Sequence, residues 1–464
     1  MPRMATPGVD LFQDPLFLAF AKERPVATMA QMALRHLLDS QALLSVFQEN
    51  AQAQREAVIP FAALTKMMAS VVLNQEPSVN AAIKKMEGEL RASHQAVYGK
   101  LQRLETGVAC GLVEYSFKRS FVMQQNLGSF CHHDIAGFET RMIDGNHLAA
   151  TEHRLKETRD TTAAPLPGKM LVVYSPRYDA VVECFAIEDG HAQERSALDA
   201  VIETLRARQL WVADRNFCTL KFLHGLVRAG SRFIIRQHGQ LEGEPLGQPR
   251  RIGKTETGEV FEQKFRLPKF DGSELVIRRV MVKLKEPTRD GDYEIFLLTN
   301  LLADEADALE ISEAYRKRWR IETVMQVLTE VLRCEIKPLC YPKAALFGFA
   351  IALVMYNALS IVLAAIKAAH GRETGPTLSR FYMALEIAQT TDGMLIALPP
   401  SRWEPLEDAP PEHLAREMLR VAEQMDLRYY LKSTRGPKKP KPKPTHAKRN
   451  VHLSTKKLLD ERTK

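Results

Sequence analysis

Apolar positions recur at helical spacing through 16–20, 29–44 and 61–73, and residues 1–135 read as mostly helical. Ser78 is placed as the N-cap of NAAIKKMEGEL and Ser93 as that of HQAVYGKLQRLE. A Ser side chain at that position accepts from free N–H groups of the first turn. Only Arg91 and Ala92 separate these two helices. That spacing suits a helix-turn-helix, whose second helix enters a major groove, and suits a plain helical hairpin equally. From Phe138 the pattern shortens into β-rich runs. FETRMIDGN predicts a strand ending at Asp144, with Gly145-Asn146 as the turn. MLVVYSP (170–176) and AVVECFAIE (180–188) are separated by three residues, the spacing of a hairpin. SALDAVIETLRARQ predicts an amphipathic helix, and LWVADRNF a short buried strand that stops at Asp214. A helix over 219–229 and the strand SRFIIRQ follow.

Residues 237–305 interrupt this order with Gly and Pro at many turns and three predicted strands, VFEQKFRLP, ELVIRRVMVKLK and YEIFLLTN. They read as a small β-rich insertion. Residues 314–337, AYRKRWRIETVMQVLTEVLRCEIK, hold neither Gly nor Pro and predict one helix. Ile321, Val324, Leu328 and Val331 form its apolar stripe. Tyr315, Arg318 and Glu322 fall within roughly 60° of one another on the adjoining face. Residues 344–366 are apolar and long enough to span a bilayer. Tyr356 and Asn357 sit in the middle of that run, no second such segment exists, and no signal precedes it. A buried core helix is therefore expected over a membrane span. APPEHLAREMLRVAEQM is the last predicted helix.

At 464 residues the chain exceeds one ordinary core. The pattern divides it at 1–135 (helical, with the helix-turn-helix spacing), 136–236 (first part of an α/β core), 237–305 (β-rich insertion), 306–385 (second part, with the Glu322 and apolar helices) and 386–464 (helical region and basic tail). The six cysteines are scattered, with no CxxC pair, which excludes a disulfide framework or a zinc ribbon. Cys131-His132-His133-Asp134 is the one cluster of soft ligands, and without a second cluster it reads as a turn. The N-terminus lacks the apolar core of a signal peptide, so a cytoplasmic protein is expected. Net charge is +8, but residues 432–464 carry twelve Lys/Arg and two acids, 12 − 2 = +10, leaving 8 − 10 = −2 for the rest. RGPKKPKPKPTHAKRN interleaves Pro with Lys and is expected to be an extended, mobile arm. Such an arm suits phosphate neutralisation, and a role in solubility alone stays open.

The order of elements is strand, hairpin, helix, strand, helix, strand, with Asp144 ending the first strand and Asp214 the later one. That order and those acids resemble the ribonuclease-H-like core of nucleotidyl transferases. With Glu322 from the helix, three carboxylates suit Mg²⁺, which takes oxygen ligands and keeps waters and phosphate oxygens. Two such ions roughly 4 Å apart activate the attacking oxygen and stabilise the leaving one. Taken alone, Arg318 and Glu322 also read as a surface ion pair at i, i+4.

The chain resembles the DDE transposases of bacterial insertion sequences, in the insertion-sequence-four family. MIDGNHL around Asp144, WVADRNF around Asp214 and YRKRWRIE carry the likeness, the last fitting the signature Tyr-x2-Arg-x3-Glu-x6-Lys through Tyr315, Arg318 and Glu322. The β-rich insertion belongs to the same pattern, and the resemblance covers about 138–366. The signature's final Lys falls at Thr329, and neither Gln326 nor Lys337 is an obvious replacement.

The resemblance implies a ribonuclease-H-like catalytic core and cut-and-paste transposition by hydrolysis and strand transfer at the ends of an element. Asp144, Asp214 and Glu322 would bind two Mg²⁺ ions, with Mn²⁺ as the alternative. Tyr315 and Arg318 would contact phosphates near the cleaved end. Trp319 would stack on an unpaired or flipped base if the reaction passes through a DNA hairpin, or serve as a core Trp. Lys438, Lys439, Lys441 and Lys443 of the arm would grip double-stranded DNA, both the terminal inverted repeats and the target. A homodimer in the DNA complex, a nucleoid-associated location and no membrane are expected. Three alternatives remain: a hydrolytic nuclease, a DNA-binding relic that Thr329 motivates, and a membrane-attached protein resting on 344–366.

Overall fold

The computed structural model describes residues 11–55, 58–131, 133–148, 151–288, 291–407, 409–433 and 452–462. Eight helices come first: α1 (Pro15–Glu23), α2 (Pro25–Leu37), α3 (Ser40–Asn50), α4 (Phe61–Val72), α5 (Val79–Lys85), α6 (Glu87–Leu90), α7 (His94–Arg103) and α8 (Thr106–Leu127). Ser78 and Ser93 cap where predicted, accepting from the Ala81 and Ala96 N–H groups at 3.2 Å. The apolar run 29–44 is not one helix: the Asp39 side chain accepts from the Ala42 N–H at 2.7 Å and starts α3 afresh. NAAIKKMEGEL likewise breaks at Met86, and Arg91 turns the chain at φ 49°.

The core sheet begins with β1 (Glu139–His147), β2 (Ala164–Leu166), β3 (Lys169–Ser175) and β4 (Ala180–Ile187). Helix α9 (Leu198–Thr204), β5 (Gln209–Ala213), α10 (Leu220–Arg228) and β6 (Arg232–Arg236) follow. Strand order is β4-β3-β1-β5-β6. β3 is antiparallel to both β1 and β4, while β1, β5 and β6 run parallel. This is the ribonuclease-H-like arrangement. β1 does not end at Asp144: Gly145 and Asn146, expected as a turn, stay in the strand because they pair with Leu171 and Met170 of β3. Helix α9 is shorter than SALDAVIETLRARQ suggests: the chain leaves it at Leu205, with ψ 140°, and Arg208 at φ 64° then turns into β5.

The stretch expected to hold three strands holds four: β7 (Glu244–Lys254), β8 (Gly258–Phe270), β9 (Ser273–Leu284) and β10 (Glu294–Thr299). β10 pairs with β6, and the sheet runs on as β6-β10-β9-β8-β7 to nine strands. β7 escaped the sequence because EPLGQPRRIGK is a mostly exposed edge strand with Gly and Pro and no apolar alternation.

Residues 314–337 are not a single helix. Helix α11 (Ala308–Arg316) and α12 (Trp319–Glu330) meet at Lys317-Arg318. Three tighter bonds mark the joint, from the Arg318 N–H to Tyr315 O at 2.9 Å, from the Arg320 N–H to Lys317 O at 3.0 Å and from the Ile321 N–H to Arg318 O at 3.0 Å. Beyond α12, the Arg333 N–H bonds to Val72 O on α4, a tertiary partner that draws the chain out of helix.

Helix α13 (Pro342–His370) is the apolar run, and its 18-residue window of highest hydropathy is wholly buried in the protein. Asn357 inside it trades hydrogen bonds with the Val181 backbone of β4 and donates to the Ser116 hydroxyl at 2.9 Å. A buried amide so satisfied fixes helix against sheet without desolvation cost left over. Sheet residues alternate between two cores. Met142, Met170, Val172 and Val212 face the α13 side, whereas Ile143, Leu171, Trp211 and Ala213 face α9 and α10.

Helices α14 (Arg380–Ala397), α15 (Pro400–Trp403) and α16 (Pro411–Glu423) pack beyond α13. The basic arm was expected to extend from 432 to the end. Instead residues 452–462 form β11 (His452–Ser454) and α17 (Thr455–Arg462), and β11 pairs in parallel with β2. Non-local pairing of a three-residue strand leaves no periodic signal in sequence. Residues 434–451, with Lys438, Lys439, Lys441 and Lys443, lie outside the described residues.

Candidate active site

By strand alternation Asp144 emerges on the same side of the sheet as Met142, the side that α12 and α13 cover. β1 and β5 lie parallel and in register, Ile143 opposite Ala213. Asp214, the next residue, therefore stands beside Asp144 one strand spacing away, about 4.8 Å at the backbone. Each aspartate is held by a local N–H. Asp144 accepts from Gly145 at 2.9 Å, and Asp214 accepts from Asn216 at 2.8 Å as the cap of a short 3-10 turn, Arg215–Phe217.

Helix α12 supplies the third acid through an intermediary. The Arg318 guanidinium lies 2.9 Å from Glu322 and 3.7 Å from Asp144. The helical break at 317–318 lets this happen, turning Tyr315 inward with its ring 6.0 Å from the guanidinium carbon. Burial works against the Arg318 charge, yet Tyr315, Asp144 and Glu322 around it hold its pKa above the ordinary value. Burial pushes the Tyr315 hydroxyl up, with Arg318 and Arg236 pulling the other way and Asp214 adding to the rise. The Arg318 Nε is buried without a hydrogen-bond partner.

Asp144 is pushed up to about 7, first by burial, against Arg318, and further by the negative charges of Asp214 and Glu194. Glu194 is a residue that sequence reasoning missed. It opens the 3-10 turn Glu194–Ala197 ahead of α9 and packs over Gly145, where any Cβ would fall inside its carboxyl group. Burial raises its own pKa, and Asp214 adds to the rise while Lys169 opposes it. The available signal was Gly145 directly after a strand-end acid, a place where another group approaches closely.

The structure thus brings Asp144 and Asp214 side by side and keeps Glu322 one guanidinium away. Among the described residues, no three His, Cys, Asp or Glu side chains cluster closely enough to hold one ion. The flanking cations are engaged elsewhere. Arg316 pairs with Glu256 and Glu313, and Lys317 and Arg320 pair with Asp134 at 3.1 and 3.5 Å. Asp134 belongs to the soft-ligand run, whose His133 contacts Phe138 O at 2.7 Å and whose His132 lies outside the described residues. Trp319 is not a core residue: it is 65% exposed at the start of α12. Thr329 is exposed and turns its hydroxyl onto its own helix, donating to Met325 O at 3.0 Å. Gln326 donates to Glu330, and Lys337 lies past the helix end.

Residues 137–358, which contain Asp144, Asp214 and the α12 acid, match the family model of the transposase DDE domain. No curated protein matches the chain. Among solved structures, the chain is similar to the piggyBac transposase in a cryo-EM structure of its synaptic complex with hairpin DNA. The TM-score is 0.37 and the identity 11%, over 100% of this chain and 91% of that one.

Proposed function

From a chain that carries a transposase DDE domain across its core sheet, we propose a DNA transposase of the insertion-sequence-four kind. It cleaves phosphodiesters at the ends of an insertion element and joins them to target DNA, in a metal-dependent cut-and-paste reaction. The observation that carries this reading is that Asp144 and Asp214 directly follow Ile143 and Ala213, the last partners of two adjacent parallel strands, with α12 delivering Glu322 through Arg318.

The donor set fits an oxygen-seeking cation. The Asp144 carboxyl is raised first by burial and further by Asp214 and Glu194, with Arg318 opposing the rise. Asp144 and Asp214 would hold Mg²⁺ or Mn²⁺, two ions in all, with Glu322 joining when Arg318 turns to the DNA. A bound ion supplies Lewis-acid stabilisation of charge at the phosphoryl group. Arg318 orients a phosphate near the cleaved bond, since its unpartnered Nε leaves a donor for one of the phosphate oxygens. Tyr315 buttresses that guanidinium. Trp319, exposed beside it, offers a stacking face for an unpaired base at a hairpin end. The protein works on double-stranded DNA as a homodimer that holds two element ends, in the cytoplasm at the nucleoid.

The test incubates the full chain with its element's end, flanking DNA and Mg²⁺. Nicked and joined products are expected. Asp144→Ala, Asp214→Ala and Glu322→Ala are each expected to reduce cleavage by about 100-fold or more while still binding DNA. Wild-type nicking by the Asp214→Ala protein would remove the assignment. A second reading, a relic that binds DNA without recombining it, rests on Thr329 offering no cation. DNA binding without cleavage would select it, and cleavage without joining would select a nuclease.

A further inference from the structure

The C-terminal segment docks on the core in a defined register. His452, Leu453 and Ser454 lie opposite Ala164, Pro165 and Leu166 of β2. Thr455 is fully buried and donates to Leu166 O at 3.2 Å. Lys457 pairs with Asp189 at 3.2 Å, Lys456 with Glu188 at 3.8 Å and Arg462 with Glu157 at 3.5 Å. The loop after β4 is pressed against β2 from the other side: a Cβ on Gly190 would stand 2.6 Å from that of Leu166. Only glycine permits that approach.

This docking closes one wall of a cleft of about 630 Å³ lined by His147, Lys169, His191 and His452, with Leu166 and Gly190 between them. The four basic side chains come from four separate segments, β1, β3, the loop after β4, and β11. Lys169 sits directly across from His147 in the β1–β3 register, only 6% exposed, with its ammonium donating to Ala192 O. A lysine has three donors, so two remain. Glu188 and Asp189 on the neighbouring loop are already engaged by Lys456 and Lys457, and the acid whose charge Lys169 still faces is Glu194. The His147 pKa is lowered by burial and then by Lys169 and His452, as expected where positive groups crowd. Lys169 and the imidazoles of His147, His191 and His452 can each present N–H donors, so an anion is the ligand that suits this lining. His147 follows Asp144 by three residues on one strand, about 10 Å at strand rise, so by alternation its side chain leaves the opposite face of β1, in the stretch that β5 no longer pairs with beyond Ile143.

We propose that this cleft, completed by the docked C-terminal strand, binds a second backbone phosphate of the DNA, besides the one that Arg318 orients. The proposal rests on the transposase reading and adds a subsite to it. Its ligand is a phosphodiester, one charge on a chain that continues into the site.

The experiment measures binding of a fluorescent 30-bp duplex carrying the element end, across a salt series, to the full chain and to His452→Glu. A third protein lacks residues 452–464, and thermal melts check that each is folded. His452 and His191 are exposed, so His191→Glu serves as a second variant on a different segment. Each variant is expected to bind five- to tenfold more weakly, with the slope of log K against log salt reduced by about 1. A single methylphosphonate walked along the cleaved strand should weaken wild-type binding at one position near the end. The same substitution should cost the His452→Glu protein nothing further. Wild-type affinity in both Glu variants, or methylphosphonate losses that simply add to theirs, would overturn the proposal. So would pyrophosphate binding that His452→Glu abolishes while duplex binding stays unchanged, since the cleft would then be a site for free anions. Failure of the wild-type protein to bind the duplex at all would instead remove the transposase reading.

Discussion

The Arg318 guanidinium bridges two acids of the candidate site, with Nη1 3.7 Å from Asp144 Oδ2 and Nη2 2.9 Å from Glu322 Oε1. It occupies the position between them that a bound cation would share. A phosphate drawing Arg318 aside would free both carboxylates at once, so DNA and metal should bind cooperatively. Arg318→Ala is expected to raise Mn²⁺ affinity of the DNA-free protein several-fold, read by electron paramagnetic resonance. It should also lower end cleavage by about 100-fold through poorer positioning. Arg318→Lys should rescue little, because a point charge cannot reproduce the planar fork. Unchanged Mn²⁺ affinity in Arg318→Ala would mean that the guanidinium does not gate the acids.

Thr329 lies seven residues after Glu322, so it projects from α12 within about 20° of that acid. It is exposed and bonded only to its own helix. Thr329→Lys is therefore tolerated by the fold and should raise single-turnover cleavage or joining if the missing cation limits strand-end grip. Equal, robust rates in both proteins would retire the relic reading. Activity in the variant alone would establish it.

The segment 434–451 carries Arg435, Lys438, Lys439, Lys441, Lys443, Lys448 and Arg449 and no acid. Replacing it with a Gly/Ser linker of equal length tests its charge while leaving β11 and α17 in place. DNA binding should weaken most at low salt, with the slope of log K against log salt falling by about 0.9 for each phosphate that is no longer neutralised. An unaltered slope would leave the segment a role in solubility.

Asp179 closes the β3–β4 turn at φ 49° and accepts from Tyr174 and Tyr356, each at 2.8 Å, while pairing with Arg380 and Lys367. Burial works against its charge, but Arg380, Lys367 and the two hydroxyls hold its pKa below the ordinary value. The stability it contributes is therefore present above the unfolded value of about 4 and is lost as pH falls through the folded one. Asp179→Asn leaves the buried Arg380 unpaired and should cost about 3–5 kcal/mol in denaturant unfolding at pH 7. A cost under about 1 kcal/mol, the size of an ordinary hydrogen bond, would show that the tyrosines, not the charge, tie this hairpin to α13 and α14.

Local patterning determined much of this protein. Ser78 and Ser93 cap helices because a Ser oxygen reaches its own first turn, and the apolar residues of β1 and β5 lead directly into Asp144 and Asp214. Asn357 inside 344–366 already marked that helix for protein burial, since an amide in lipid would lack partners. Other features depend on atoms far apart in the chain. The break at Lys317-Arg318 comes without Gly or Pro, so propensity could not place it, and with it comes Arg318 between Asp144 and Glu322. Glu194 reaches the site only because Gly145 lacks a Cβ. The pairing of β11 with β2 spans nearly three hundred residues, and three-residue strands carry too little pattern to announce a partner. Sequence named the three acids by local spacing; tertiary packing decided which of them stand together, because those distances are set between elements and not by the chain's own period.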